Sequence, residues 1–166
     1  MVDARDLRGW TALHHAAARG AERTVRQLLE RGADPNASST GIAPLLLAAE
    51  SGDPGTIEAL LAHQADPNAS GSNGITPLIQ AADAGNTAAV QLLLEHGANS
   101  NARARDGRTA LMEAAADGRI AIVQMLLEKG ADPNARMANG STVLARASVK
   151  PQNEQVVELL KRAGAR

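Results

Sequence analysis

The sequence predicts an all-α fold, a solenoid of antiparallel helix pairs joined by β-hairpin-like turns, and three recurrences predict it. First, "GADPNA" at Gly32 returns as "QADPNA" at Gln64, "GANSNA" at Gly97 and "GADPNA" at Gly130. The fourth-from-last residues of these phrases, Asp34, Asp66, Asn99 and Asp132, are spaced 32, 33 and 33 apart, a period of stacked structural repeats. Second, a glycine opens "GWTALHHAAARG" at Gly9, "GIAPLLLAAESG" at Gly41, "GITPLIQAADAG" at Gly74, "GRTALMEAAADG" at Gly107 and "GSTVLARASVKP" at Gly140. Third, each copy is followed by a leucine pair: Leu28-Leu29, Leu60-Leu61, Leu93-Leu94, Leu126-Leu127 and Leu159-Leu160. Five repeats follow, at about 6–38, 39–70, 71–103, 104–136 and 137–166, forming one domain over 1–166.

In the first repeat Thr11 can cap a first helix that Gly20 ends in a left-handed conformation, and a second helix runs through Leu28-Leu29 to Gly32. In the second, Pro44 sits in the first turn, where a missing N–H costs nothing. Gly52 ends that helix, and Asp53-Pro54 starts the next as N-cap and first residue. Gln64 stands where the closing glycine belongs, so a side chain is expected in the left-handed region there. Repeats three and four repeat the pattern with Thr76, Pro77, Gly85 and Gly97, then Thr109, Gly118 and Gly130. Repeat five is the least regular: Pro151 replaces the inter-helix glycine, and Gly164 arrives one residue late. Between repeats the "DPNA" segment reads as a turn, with Asp and Asn satisfying local donors and Pro fixing φ.

The period, with "TALHHAA" at Thr11, "APLLLAA" at Ala43, "TPLIQAA" at Thr76 and "TALMEAA" at Thr109, resembles the ankyrin repeat and its T-P-L-H-x-A signature. The resemblance covers nearly the whole chain. It departs from the pattern at Ala43, at Leu46, Ile79, Met112 and Ala145 in place of histidine, and at Gln64. It implies a protein-binding module whose partners engage the turn tips and the concave face of the first helices.

Composition fits such a module. Hydrophobic residues make up 44% and charged residues 21%, while Phe, Tyr and Cys are absent and Trp10 is the one aromatic. The core must therefore be small and aliphatic, which suits closely packed helices. Without cysteine there is no disulfide, thiolate site or cysteine nucleophile. Apolar runs such as 42–49 are too short to span a bilayer, and no signal-peptide pattern opens the chain. The expected location is the cytoplasm, or the periplasm or exterior had an upstream leader been removed. Fourteen arginines against three lysines, with many alanines, point to a GC-rich bacterial genome.

A net charge of −1 excludes a general polyanion binder such as a nucleic-acid protein. Its distribution is uneven: no Lys or Arg lies between Arg31 and Arg103, where Glu50, Asp53, Glu58, Asp66, Asp83 and Glu95 fall, whereas 103–166 carries a net charge of +4. No HExxH, Walker or GxSxG motif occurs. Adjacent His14 and His15 diverge by about 100° on a helix and cannot chelate together. His14 is expected to support its turn by hydrogen bonding, and no catalytic site, cofactor or metal is expected.

Internal second helices should be apolar nearly all round and terminal ones polar on one side. The helices around Val25 and Val156 are the polar ones, so both ends read as capped, although "DARDLRGWT" starts the chain inside a turn. The resemblance places partner-binding positions at Leu7, Arg8, Trp10, Arg19, Ile42, Glu50, Ile75, Asp83, Arg105, Arg108 and Asp117. Trp10, Ile42 and Ile75 share one register, so three large apolar groups are expected to line up exposed along one edge, Trp being favoured at hot spots. With Glu50 and Asp83 beside them, the expected partner of the monomer is a protein presenting apolar groups flanked by basic residues. Two alternatives use the same fold: an inhibitor or immunity-type regulator covering a partner enzyme's active site, and an engineered or reconstructed scaffold without a dedicated partner.

Overall fold

The computed structural model describes residues 2–166, and its helices come in pairs. They are α1 (Ala12–Ala18) and α2 (Glu22–Glu30), α3 (Pro44–Ser51) and α4 (Pro54–Ala62), α5 (Pro77–Ala84) and α6 (Thr87–Glu95), α7 (Ala110–Ala116) and α8 (Ile120–Glu128), and α9 (Val143–Ala147) and α10 (Glu154–Arg162). Each pair packs on itself. The first helices α1, α3, α5, α7 and α9 stack in sequence as one layer, and the second helices α2, α4, α6, α8 and α10 as another. The core between the layers is aliphatic, with Leu13, Leu45, Leu78, Leu111 and Val143 from the first layer and Val25, Ile57, Val90, Val123 and Val156 from the second.

Local chemistry sets the helix ends. Thr76, Thr109 and Thr142 accept the N–H of Ile79, Met112 and Ala145, and Asp53 accepts that of Thr56 at 2.8 Å. These bonds satisfy N–H groups that a helix start otherwise leaves unpaired. Pro44, Pro54 and Pro77 sit in first turns. The fifth repeat is the irregular one: a 3-10 turn, Pro151–Asn153, replaces the glycine link, and Asn153 donates to the carbonyls of Ala115, Ala116 and Ala147. The terminal helices α2 and α10 turn Glu22, Arg23, Gln27 and Glu30, and Glu154, Gln155, Glu158 and Lys161, outward.

The "DPNA" seam has a further role that its turn chemistry alone does not reveal. Asn36 donates to Gln64 O at 2.9 Å and accepts from Asp66 N–H at 2.8 Å. Asn68, Asn101 and Asn134 repeat both bonds one repeat further on. The phrase recurs because its asparagine staples each repeat to the next.

Gln64 lies at φ +66°, as its place demands, while Gly32, Gly97 and Gly130 fill the same position at +77° to +83°. A Cβ there costs roughly 1 kcal/mol relative to glycine. Gln64→Gly is therefore expected to raise the unfolding free energy by about that amount, since the Gln64 side chain is exposed and only its backbone carbonyl serves Asn36. Urea titration checks this, and an unchanged or lower midpoint counts against it.

The second left-handed residue, Thr40 at φ +50°, was not foreseen. The 32-residue step places one residue fewer in the second turn than in the others. Ser39 and Ile42 exchange both backbone hydrogen bonds, at 3.0 and 2.8 Å, around Thr40 and Gly41. A two-residue link with positive φ at both central positions is a type I′ turn, which favours Asn-Gly and disfavours a β-branched residue. In the other turns the residue three before the glycine, Asp6, Gly71, Ala104 or Met137, donates its N–H across a longer loop to the carbonyl of the residue after it. Among the described residues strand character is confined to isolated bridges at Ser39–Ile42 and Arg136–Thr142.

Candidate functional site

The first-helix layer and the adjoining turn tips carry the chain's variable side chains on one face. At the N-terminal end His14 is buried; Thr11 N–H donates to its Nδ1 at 3.1 Å, so Nε2 carries the proton and donates to Ile42 O at 3.1 Å. Burial lowers its pKa from the ordinary histidine value and keeps the ring neutral. His14 thus ties the first helix start to the second turn, the supporting role expected of it. His15 meets Asp6 at 2.9 Å, a contact that holds the Asp6 carboxyl below its ordinary value.

Trp10 does not stand free, as the sequence suggested. Its ring stacks on His14 with centroids 5.9 Å apart and lies tilted on His15 at 5.1 Å. Ile42 and Ile75 follow it in register, and all three are half-buried rather than exposed, Ile75 packing against the hydrophobic core. Leu7, Arg8, Arg19 and Arg105 are exposed, and their side chains make no hydrogen bond or ion pair among the described residues. Glu50 and Asp83 are exposed on α3 and α5.

Ile42, Glu50 and Ile75 converge on one feature, a groove of ≈ 400 Å³ between the second and third repeats that Leu46 and Leu47 also line. The other end of the face is ionic. Arg108 pairs with Asp106 at 2.7 Å and approaches Glu113 at 3.7 Å; Arg146 holds Glu113 at 3.2 Å, and Asp117 meets Lys150 at 2.6 Å. The Arg108 backbone N–H lowers the Asp106 pKa, and Lys150 lowers that of Asp117. Glu113 shifts the other way: burial raises its pKa against the opposing pull of Arg146 and Arg108, with Asp83 adding to the rise.

Glu113 and Arg146, which draw Arg108 into this network, were not among the expected face positions. They belong to a row four residues after the cap position, His15, Leu47, Gln80, Glu113 and Arg146, whose change of chemistry from repeat to repeat was the available signal. Among the described residues no three His, Cys, Asp or Glu side chains stand close enough to hold a metal ion, and no helix is long and apolar enough to cross a membrane.

A family model described as ankyrin repeats (3 copies) matches residues 1–71 and 45–137. Ankyrin repeats are generally protein–protein interaction modules, and helices α1 to α8, the His14 bond to the next turn and the staples of Asn36, Asn68 and Asn101 all lie within the matched residues. Repeat five, beyond the match, continues the same stack through α9 and α10. By period, packing and family match alike, the chain belongs to the ankyrin-repeat family.

Proposed function

We propose that the chain is a non-enzymatic protein-binding module that captures a partner on its turn tips and concave first-helix face, the bound segment carrying apolar groups flanked by basic residues. The observation that carries this reading is the half-buried row Trp10, Ile42 and Ile75, of which Ile42 and Ile75 lie with exposed Glu50 and Asp83 in a stretch, 32–102, without a single Lys or Arg. A rigid apolar row needs little ordering on binding, and the acidic neighbours select the sign of the partner's charge.

Trp10→Ala and Ile75→Ala are each expected to weaken capture of the native partner about tenfold, as loss of an interface anchor does. Gln91→Ala, on the second-helix layer, should leave it unchanged. Quantitative pull-down from the native host, read by mass spectrometry with circular dichroism to confirm folding, checks both. Full retention of the partner by both face variants would sink the reading.

A further inference from the structure

Two local departures from the repeat pattern meet at the groove between the second and third repeats. The second turn is one residue short and closes as a two-residue link with Thr40 at φ +50°. A β-branched residue in this region costs energy, so the tight turn is held against its own preference. The third turn carries Gly71, although φ there is not positive and nothing in its backbone requires glycine. The same position holds Ala104 in the fourth repeat and Met137 in the fifth, with the same backbone hydrogen bond in each. Met137 there packs against the core and receives Arg146 Nη1 at its sulfur.

The tips on the C-terminal side are tied together: Arg105 N–H donates to Asn73 O at 2.9 Å and Ala138 N–H to Asp106 O at 2.8 Å. The first two tips are joined through Ser39 Oγ and Arg8 O at 2.8 Å. Among the described residues no hydrogen bond joins the second tip to the third. Their backbones nonetheless touch, a Cβ on Gly41 falling 2.7 Å from Ser72 N, and the short turn and the missing side chain at Gly71 border the groove, which is at the small end of the roughly 300–1,000 Å³ typical of ligand clefts. Ile42, Leu46, Leu47 and Ile75 supply its apolar lining, Gln80 a neutral polar group and Glu50 its one charge. Asp83 follows Glu50 in the same register one repeat on.

We infer that this groove is a socket for one bulky apolar side chain of a partner protein, with an adjacent Lys or Arg of the same segment received by Glu50. The inference rests on the protein-binding reading above and fixes which part of the face does the selecting. An apolar side chain fits the lining, and a basic neighbour finds a carboxylate with no competing cation anywhere in 32–102. An acidic neighbour would meet Glu50 and Asp83 as like charges.

The test uses the full chain and two pools of synthetic peptides, each peptide with one Leu, Phe or Met flanked by Lys or Arg in the first pool and by Glu in the second. Backbone amide shifts locate binding and titration gives affinity. The expected result is binding from the basic pool only, with shifts at Ile42, Gly71, Ser72 and Ile75. Gly71→Met should weaken it at least tenfold by filling the socket. A Cβ at Gly71 lies 3.5 Å from Gly41 O and 3.6 Å from Leu46 Cδ2, ordinary contacts, and 3.1 Å from Asn73 Oδ1, which accepts the Ile75 N–H and must give by a few tenths of an ångström, so the variant is expected to fold as Met137 does in its repeat, with circular dichroism as the check. Glu50→Lys, at an exposed site, should lose the basic pool and gain the acidic one.

No binding from the basic pool, equal binding from both, or affinity unchanged in Gly71→Met overturns the socket. If the native partner is still lost from Trp10→Ala and Ile75→Ala, the protein-binding reading survives that outcome, and the two failures are told apart.

Discussion

Replacing Arg146 with methionine is expected to lower the unfolding free energy by about 2–4 kcal/mol, although Arg146 lies at the surface end of the shortest helix in the stack. Glu113 is the reason. Its side chain is 7% exposed, it relies on Arg146 at 3.2 Å, and its Oε1 has no hydrogen-bond partner among the described residues. Removing one member of a buried pair leaves the other charge uncompensated, a loss of about 3–5 kcal/mol where burial is complete. Here Arg146 is 29% exposed and Arg108 remains 3.7 Å from the carboxylate, so the lower figure applies.

The pH dependence identifies the cause. Glu113 already has a pKa above the ordinary glutamate value, so between the unfolded and folded values the native state holds more protons than the unfolded one. Stability from this group is therefore fully present below the unfolded pKa and is lost as pH rises through the folded one. Without Arg146 the folded pKa climbs further. The deficit of the variant relative to the parent should then be largest near neutrality and shrink on acidification, and adding Glu113→Gln should recover most of it. Urea unfolding of parent, single and double variants at neutral and mildly acidic pH measures this. A deficit independent of pH, or one untouched by Glu113→Gln, would show that lost packing against Met137 rather than charge is responsible.

This pair also shows how far the sequence could be read. Glu113 and Arg146 are 33 residues apart, as are Asp117 and Lys150 and the Arg103 side chain and the Arg136 carbonyl it reaches. Once the period is known, a residue's neighbour on the next repeat is known too, and the glycines, caps and leucine pairs made that period legible. Orientation was not legible. Trp10 could have pointed outward on register alone, but the two histidines that follow it in α1 offer ring faces to lean on, and it takes them.

Thr40 marks a different limit. The missing residue was visible as a step of 32, yet only the backbone shows that the deficit falls in the turn as a type I′ link rather than being absorbed elsewhere in the repeat. The asparagine staples were hidden for a related reason. Asp, Pro and Asn have enough local turn chemistry to explain "DPNA", and nothing local signals that the amide reaches across to the next repeat. The face positions taken from the family resemblance follow from register, but register alone could not say that Ile42, Glu50 and Ile75 share a groove while Arg108 belongs to an ionic network.

Leu78→Ala should cost about 3–4 kcal/mol and, more tellingly, divide the unfolding transition. Leu78 is 1% exposed on α5, which packs against α3, α6 and α7. Truncating a buried leucine loses transfer energy and leaves a cavity that the neighbours fill only in part. In a stack where each repeat contacts only the next, stability is close to a sum of repeat and interface terms, so weakening the middle repeat weakens both couplings that make the array unfold as one. The same substitution at Leu13, equally buried on α1, touches a repeat with a stacked neighbour on one side only. It should fray the first repeat and leave the rest cooperative. Because Trp10 is the sole aromatic and sits in that first repeat, its fluorescence follows the N-terminal end while far-UV circular dichroism follows the whole array. For Leu78→Ala the two denaturation curves should separate, with hydrogen exchange showing distinct protection on either side of α5; for Leu13→Ala the Trp10 signal should melt first and alone. Coincident curves in Leu78→Ala would mean that the helix layers transmit stability beyond nearest neighbours, and the additive picture of this array would have to be abandoned.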